Sequence, residues 1–153
     1  MEIRLAQTSD IDCWMALVNQ VKDVFPGLET EAALAEHRTE VLRFIDMNCA
    51  ICAKEDGRLA GALLFSKETS VLCFLAVSPH YRRQHIGRRM FDFMLTQMDP
   101  DRDITVTTYR KTDPNGTAAR AFYRQLGFSE GALTEEFGAP VQQFILKRSS
   151  ISE

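Results

Sequence analysis

Residues 75–90 read LAVSPHYRRQHIGRRM, and the interpretation of the whole chain starts from this stretch. The apolar run Val71–Val77, which overlaps its start, predicts a β-strand covered on both faces. Ser78 and Pro79 end that strand, and a helix is predicted over about Gly87–Met98. A buried strand therefore leads through a tight turn into the N-terminus of a helix.

The turn before this helix has the chemistry of an anion-binding site. The first N–H groups of a helix lack intrahelical acceptors, and the helix dipole places about half a positive charge there. Successive amides in the turn can surround a phosphate, and arginines add forked hydrogen bonds. No acid interrupts the arginines of this turn, which are Arg82, Arg83, Arg88 and Arg89. The pattern predicts a ligand with a pyrophosphate, and a strand–helix unit with a basic, solvated start is the alternative.

Composition and charge restrict the class of protein. The 153 residues suit a single domain over residues 1–148 followed by a polar tail at 149–153. Apolar residues make up 45% and charged residues 25%, as in soluble globular proteins. The net charge of −3 argues against a dedicated nucleic-acid partner. The N-terminus has no apolar stretch long enough for a signal peptide or a membrane span, which predicts a cytoplasmic protein without a membrane partner.

Four cysteines, too few for a disulfide scaffold, suit a reducing cytosol. Cys49 and Cys52 match C-x-x-C, but no second pair and no paired histidines complete a zinc site, so no metal is predicted. A strand would send these two thiols to opposite faces, and we interpret both as buried structural residues. Cys73 is expected to point inward from its strand.

The other segments predict an α+β domain with α/β-type layers, a mixed sheet and helices on both faces. Two helices come early, one capped within Thr8–Asp10 and the other by Thr30. A hairpin turns at Glu55–Gly57, and a helix ends at Gly127. The predicted strands are residues 2–6, Cys49–Lys54, Leu59–Phe65, Val71–Val77, Ile104–Tyr109, a short strand near Phe128, and Val141–Lys147.

The segment Arg82–Gly87, RRQHIG, resembles the coenzyme A signature of the GNAT N-acetyltransferase superfamily, R/Q-x-x-G-x-G/A. The preceding Val77–Pro79 and Tyr81 also suit the family, as does ARAFYRQLGF over Ala119–Phe128. The order of strands and helices agrees from about residue 1 to 147. Two motifs in the right order, separated by a strand, make the resemblance specific. It implies a GNAT-like mixed, mostly antiparallel sheet of six to seven strands with helices on both faces.

The resemblance also implies an N-acetyltransferase that uses acetyl-CoA as cosubstrate, without a metal. The acceptor would be a primary amine of a small molecule or protein, attacking directly in a ternary complex. Backbone groups of Leu75 and Val77 are implied to pair with pantetheine, and the amides of Arg83–Arg88 to hold the pyrophosphate. Tyr123 occupies the position of the tyrosine that protonates the departing thiolate. The implied coenzyme-binding residues are Leu75, Val77, Arg82, Arg83, Gln84, His85, Ile86, Gly87, Arg88, Asn115 and Ala119.

Two positions depart from the family pattern. His85 replaces the first glycine of the signature, and where the backbone needs a positive φ this costs about 1 kcal/mol. A protonated His85 is alternatively able to contact the phosphate itself. Many relatives have an asparagine seven residues before the tyrosine, where this chain has Gly116, with Asn115 one place earlier. Asn115 either reaches the coenzyme or serves the turn.

The general base is not evident from the sequence. An alkyl amine is protonated at pH 7, because its pKa is about 10, so the reaction needs a proton acceptor. Cys73 is not required as a nucleophile. Several carboxylates in or near loops are candidates for the base, and each is equally compatible with a solvated surface position: Glu29, Glu31, Glu68, Glu135 and Glu136.

Two other functions compete with acetyl transfer. A coenzyme-binding module that senses acetyl-CoA without turnover is favoured by the loss of glycine at His85 and by the missing base, while Tyr123 argues against it. A phosphate- or RNA-binding domain would use the arginines, but the acidic net charge disfavours it. The sequence leaves the acceptor unidentified and is compatible with a monomer or a homodimer.

Overall fold

The computed structural model describes residues 1–25, 27–81, 84–136 and 138–148. The strands are β1 (Glu2–Leu5), β2 (Ala50–Glu55), β3 (Arg58–Ser66), β4 (Val71–Val77), β5 (Ile104–Tyr109), β6 (Ser129–Glu136) and β7 (Ala139–Leu146). The α-helices are α1 (Ile11–Val21), α2 (Glu31–Asp46), α3 (Ile86–Leu95) and α4 (Thr117–Gln125). The predicted polar tail, residues 149–153, lies outside the described residues.

All of these strands join one seven-stranded sheet in the order β1-β2-β3-β4-β5-β7-β6. Neighbouring strands are antiparallel except β4 and β5, which are parallel. Seven consecutive residues of β3 are buried, although successive side chains point to opposite faces, so helices cover both faces of the sheet. The predicted class is confirmed: a mixed, mostly antiparallel sheet of an α+β domain.

Local sequence determines the turns that position these elements. Asp56 and Gly57 connect β2 to β3 with φ of 52° and 77°, as a two-residue type I′ hairpin turn requires. Thr30 caps α2, because its hydroxyl accepts from the N–H of Ala33 at 3.0 Å. Gly127 follows α4 with φ of 103°, the predicted helix end.

Glycine also allows α3 to lie close to the sheet. A Cβ on Gly61 of β3 would stand 2.6 Å from Cε of Met90 and 3.0 Å from Cγ2 of Ile86, both on α3. These two α3 side chains are themselves 0% and 2% exposed. Helix α3 is therefore packed tightly against β3 at the centre of the sheet.

Several boundaries and one burial pattern differ from the sequence predictions. The helix predicted over Gly87–Met98 is shifted toward the N-terminus, and the short strand predicted near Phe128 is the eight-residue β6. The apolar run Val71–Val77 is not covered on both faces: Leu72 and Ala76 are buried, while Cys73 is exposed. Its hydrophobicity reflects a strand that lines a cavity. Cys49 and Cys52 are buried, as predicted.

No helix within the described ranges has the length and apolar character needed to span a bilayer. Within the same ranges, no three His, Cys, Asp or Glu side chains cluster as a metal site would require.

A buried carboxylate ties the start of α1 to the sheet. The side chain of Asp10 is 1% exposed and accepts hydrogen bonds from Arg4 of β1 at 2.8 and 3.1 Å. It also accepts from Nζ of Lys54 on β2 at 2.9 Å and from the N–H of Gln7 at 2.8 Å. The hydrogen bonds from Arg4 hold the pKa of Asp10 far below its usual range.

We expect Asp10→Asn to lower the free energy of unfolding by about 3 kcal/mol at pH 7, because two cations lose their buried partner. The difference in free energy of unfolding between Asp10→Asn and wild type should shrink as the pH falls from about 5 to about 2. Folding lowers the pKa of Asp10, so its ionised form stabilises the fold at pH values above the unfolded-state pKa near 3.9. This stabilisation is lost as the pH falls toward the folded-state pKa. Urea denaturation across this pH range measures both effects.

The matched control is Asp12→Asn, which changes an exposed acid in the first turn of α1 and should alter stability by less than about 0.5 kcal/mol. A stability loss for Asp10→Asn that does not vary with pH would contradict the role given to its charge.

Candidate active site

Strands β4 and β5 separate from each other at the centre of the sheet. Within the described residues they pair at one position, Val71 with Thr105, and the N–H of Thr105 donates to the carbonyl of Ser70 at 3.1 Å. Beyond this point the strands diverge, while β4 stays paired with β3 as far as Val77. The sheet therefore has a gap that widens toward the carboxyl ends of β4 and β5.

Main-chain groups of β4 are directed into this gap. The N–H of Ser78 donates to the carbonyl of Ala60 at 2.8 Å, which places Ser78 in a hydrogen-bonded pair with β3. In an antiparallel ladder the intervening residues turn their N–H and C=O groups to the other edge. Leu75 and Val77 are those residues, so their main-chain groups face β5 across the gap.

A cavity of about 1550 Å³ occupies the gap and extends beyond it, which is larger than a typical single-ligand pocket of about 300 to 1,000 Å³. Residues of β4 and β5 line it, together with the starts of α3 and α4 and one face of α2. Along β4, Phe74 contacts the ring of His37 on α2, whereas Val77 lies beside Gly87 on α3. The cavity thus has an α2 end and an α3 end.

The α3 end presents free helix N–H groups. The first intrahelical bond runs from the N–H of Arg89 to the carbonyl of His85, which leaves the N–H groups of Ile86, Gly87 and Arg88 without helical acceptors. His85, the N-cap, makes no side-chain capping bond, and its φ of 58° and ψ of 28° are left-handed. Histidine is strained at a positive φ, so His85 is strained at this position, where the family signature has glycine.

The residues predicted to bind the pyrophosphate differ in how they lie relative to the cavity at this helix start. His85, Ile86, Gly87 and Arg88 line the cavity, and Gln84 is exposed next to them. The guanidinium of Arg88 forms an ion pair with Asp92, one turn later, at 3.4 Å. Arg82 and Arg83 lie outside the described residues.

Glycine allows two close contacts between these elements. A Cβ on Gly87 would stand 3.1 Å from the ring of Phe122 on α4, so the starts of α3 and α4 come close together. A Cβ on Gly116 would stand 2.2 Å from Cβ of Tyr109, which leaves no room for any side chain on this backbone. The asparagine that many relatives have at this position would therefore clash with the last residue of β5.

Asn115 and Ala119 line the cavity near the start of α4. Asn115 is exposed, and its main-chain N–H donates to Oδ1 of Asp113 at 2.9 Å, a bond that any residue except proline would make. Its side chain stands at the cavity wall as well.

Tyr123 lines the same cavity from α4 but is only 7% exposed. Its ring packs against Phe122, Phe128 and Phe144 at centroid distances of 5.4, 5.6 and 6.3 Å. Burial raises the pKa of Tyr123 far above its usual value near 10, so the phenol keeps its proton. The aromatic contacts fix the ring, and the hydroxyl keeps a proton that it can donate at neutral pH.

A buried arginine fixes the helix that carries Tyr123. Arg120, one turn earlier, is 4% exposed and donates to the carbonyl of Tyr109 and to Oε1 of Gln142, both at 2.8 Å. It also donates to Glu130 at 2.5 Å. Its guanidinium lies 4.9 Å from the centroid of Phe144. These contacts join α4 to β5, β6 and β7.

Only one of the five predicted base candidates lines the cavity. Glu136, at the end of β6, lines it and accepts from the hydroxyl of Thr107 at 2.9 Å. Glu29, Glu31, Glu68 and Glu135 are exposed and are not among the lining residues.

The sequence reasoning missed the three titratable residues of α2 that line the cavity, Glu36, His37 and Glu40. A signal was present for His37, which lies three residues after Leu34 and four before Val41, on the apolar stripe of the helix. Nε1 of Trp14 donates to Nε2 of His37 at 3.3 Å, and burial lowers the pKa of the imidazole. His37 is therefore neutral, with its proton on Nδ1.

Cys73 also faces the cavity, contrary to the inward position predicted for it. Burial by the surrounding walls raises the pKa of its thiol to about 11, and Sγ donates weakly to the carbonyl of Val71 at 3.7 Å. A thiol that stays protonated at neutral pH is a poor nucleophile, as expected for a reaction without a covalent intermediate.

The parted strands, the start of α3 and the buried tyrosine surround one cavity. The sequence model of the acetyltransferase (GNAT) family matches residues 14–128. The chain belongs to this family.

Solved structures show the same fold at low sequence identity. An N-acetyltransferase from Staphylococcus aureus Mu50 is 15% identical, with a TM-score of 0.75 over 95% of this chain and 100% of that one. The ribosomal-protein-S18-alanine N-acetyltransferase from Escherichia coli is 19% identical, with a TM-score of 0.71 over 99% and 96%. The PaiA N-acetyltransferase from Thermoplasma acidophilum, in complex with coenzyme A, is 16% identical, with a TM-score of 0.69 over 96% and 98%. No curated protein matches the chain significantly.

The left-handed backbone at His85 has a measurable cost. We expect His85→Val to lower the free energy of unfolding by about 1 to 2 kcal/mol, because a β-branched residue is strained at positive φ. His85→Asn should be within about 0.5 kcal/mol of wild type, because asparagine tolerates this conformation. Urea denaturation of both variants measures the difference, and equal stabilities for valine and asparagine would contradict a left-handed residue 85.

Proposed function

We propose that the protein is an N-acetyltransferase that moves the acetyl group of acetyl-CoA to a primary amine by direct attack in a ternary complex. The observation that carries this proposal is the gap between β4 and β5, which ends at the open N-terminus of α3. Family membership supports acyl transfer. The coenzyme A complex of the PaiA protein, which has the same fold, supports the choice of cosubstrate.

The coenzyme would lie along the gap. We assign the main-chain groups of Leu75 and Val77 to the pantetheine arm, which would add to β4 as a strand does. The N–H groups of Ile86, Gly87 and Arg88 are assigned to the pyrophosphate, where the helix dipole favours negative charge. Gln84, Asn115, Ala119 and the side chain of His85 lie around this site, and Arg82 and Arg83 complete the assigned set.

Acetyl-CoA supplies an activated acetyl group as a thioester. When the amine attacks, the carbonyl oxygen gains negative charge, and an N–H of β4 in the gap is placed to donate to it. The leaving sulfur needs a proton, which we assign to the hydroxyl of Tyr123 because the ring is fixed in the cavity wall and remains protonated. The high pKa of this phenol makes it a weak acid, so its contribution should be moderate.

The attacking amine must also lose a proton. Glu136 is the predicted base candidate that lines the cavity, and we assign it the role of proton acceptor, directly or through water. His37 is less suited, because its Nε2 already accepts from Trp14. The bond from Thr107 to Oε2 orients the carboxylate of Glu136, and we assign Oε1 to the acceptor.

The first test asks whether the protein binds the coenzyme and uses it. At 100 times its dissociation constant a ligand adds about 2.7 kcal/mol of stability, so CoA should raise the melting temperature by about 5 to 10 °C. Adenosine should have much less effect. Incubation with acetyl-CoA and a panel of primary amines should release free thiol. Stabilisation without thiol release from any amine would favour a non-catalytic acetyl-CoA sensor, and no shift at millimolar CoA would exclude both functions.

The second test removes one hydroxyl. We expect Tyr123→Phe to lower kcat by roughly 10 to 1,000-fold and to leave CoA affinity within about threefold, because general acid catalysis acts only in the transition state. Tyr109→Phe, the same change in another tyrosine of the cavity, should lower kcat by less than about threefold. Full kcat in Tyr123→Phe, or an equal loss in both variants, would remove Tyr123 from the proposed role.

A further inference from the structure

We propose that the acceptor is a primary amine on an arylalkyl body that carries no carboxylate, and that this body binds at the α2 end of the cavity. The inference rests on the proposed function, because it names the class of acceptor for the part of the cavity that the coenzyme leaves open. Three independent features carry it: a cluster of aromatic rings, a neutral imidazole and the sign of the charges.

The aromatic rings form a partly exposed apolar wall. Phe74 of β4 lies between Phe25 and His37, with both ring centroids 4.9 Å from its own. All three side chains line the cavity and are only half-buried. Stacked and tilted rings at 4.5 to 7 Å attract a further aromatic ring in the same way, and covering their exposed faces removes apolar surface from water.

His37 contributes a ring without a charge. The bond from Trp14 occupies its Nε2, and burial lowers the pKa of the imidazole, so protonation is disfavoured. The ring cluster therefore offers no cation to a carboxylate-bearing acceptor. Trp14, which is 0% exposed, also holds the imidazole ring beside Phe74.

The charged side chains at this end of the cavity are carboxylates. Glu36 and Glu40 come from successive turns of α2, and Glu136 comes from β6. Of the lining residues that the structure describes, Arg88 is the one lysine or arginine, and it belongs to the α3 end. Arg43 pairs with Glu40 at 2.5 Å, and no ion pair joins Glu36 or Glu136 to another described residue. An ammonium group is attracted here and a carboxylate is repelled.

The experiment compares matched amines by thiol release from acetyl-CoA. 2-Phenylethylamine should exceed ethylamine in kcat/KM by about 30-fold, because a phenyl ring is buried against the cluster. Phenylalaninamide should exceed phenylalanine by about 100-fold in kcat/KM expressed per neutral amine, because the two then differ mainly in the carboxylate, which Glu36 and Glu136 would repel. Spermidine is included because a second ammonium group would also suit the carboxylates.

Variants separate the two sources of selectivity. Phe74→Leu should lower kcat/KM for 2-phenylethylamine by about 10-fold and change that for ethylamine by less than about threefold. Glu36→Gln should reduce the preference for phenylalaninamide over phenylalanine by about 10-fold. Glu31→Gln, on the same helix but away from the cavity, is the control and should change neither ratio.

Calorimetric binding of 2-phenylethylamine to the CoA complex provides a readout that does not need turnover. If other amines release thiol while 2-phenylethylamine neither binds nor reacts, or if spermidine or phenylalanine is preferred, this inference is wrong and the acetyltransferase proposal stands. If 2-phenylethylamine binds selectively over phenylalanine and no amine releases thiol, the acceptor class is supported and the proposed activity fails. If it neither binds nor reacts and no amine releases thiol, both proposals are overturned.

Discussion

The pairing of Val71 with Thr105 holds β4 and β5 together at one end and allows them to diverge at the other. Beyond that point, alternate residues of β4 direct an N–H and a C=O group into the gap, where no described strand pairs with them. Such groups are costly to leave unpaired in an apolar environment. Water or a ligand must satisfy them, so the sheet has an unfilled strand position at its centre. The cavity, the open start of α3 and the exposed face of β4 all follow from this one interruption of the ladder.

The remaining contacts hold the walls of this opening in place. Gly61 brings α3 against β3, and Gly87 brings the same helix against Phe122 of α4. Arg120 joins α4 to the three strands on the far side of the opening, while Asp10 joins the first helix to β1 and β2. Buried ionic and polar groups are thus placed at both flanks of the sheet, where elements distant in sequence meet.

Much of this arrangement could be predicted from the sequence because it depends on local patterns. The hairpin at Asp56 and Gly57, the cap at Thr30 and the end of α4 at Gly127 each follow from a few neighbouring residues. The order of β4 and α3 on either side of His85 was equally visible. Burial of Val71–Val77 and the orientation of Cys73 were predicted wrongly, because a periodic pattern cannot distinguish a covering helix from a cavity. The α2 residues of the site were missed for a related reason, since only the tertiary fold brings α2 beside Phe74.

The contact between Gly116 and Tyr109 couples two positions that are seven residues apart. Their Cβ atoms compete for the same volume, so a side chain at 116 requires either a smaller residue at 109 or a displaced start of α4. An asparagine introduced at 116 alone would be incompatible with this backbone, whereas a paired exchange with a glycine at 109 would remove the clashing Cβ. The last residue of β5 therefore limits which residues the turn before α4 can hold.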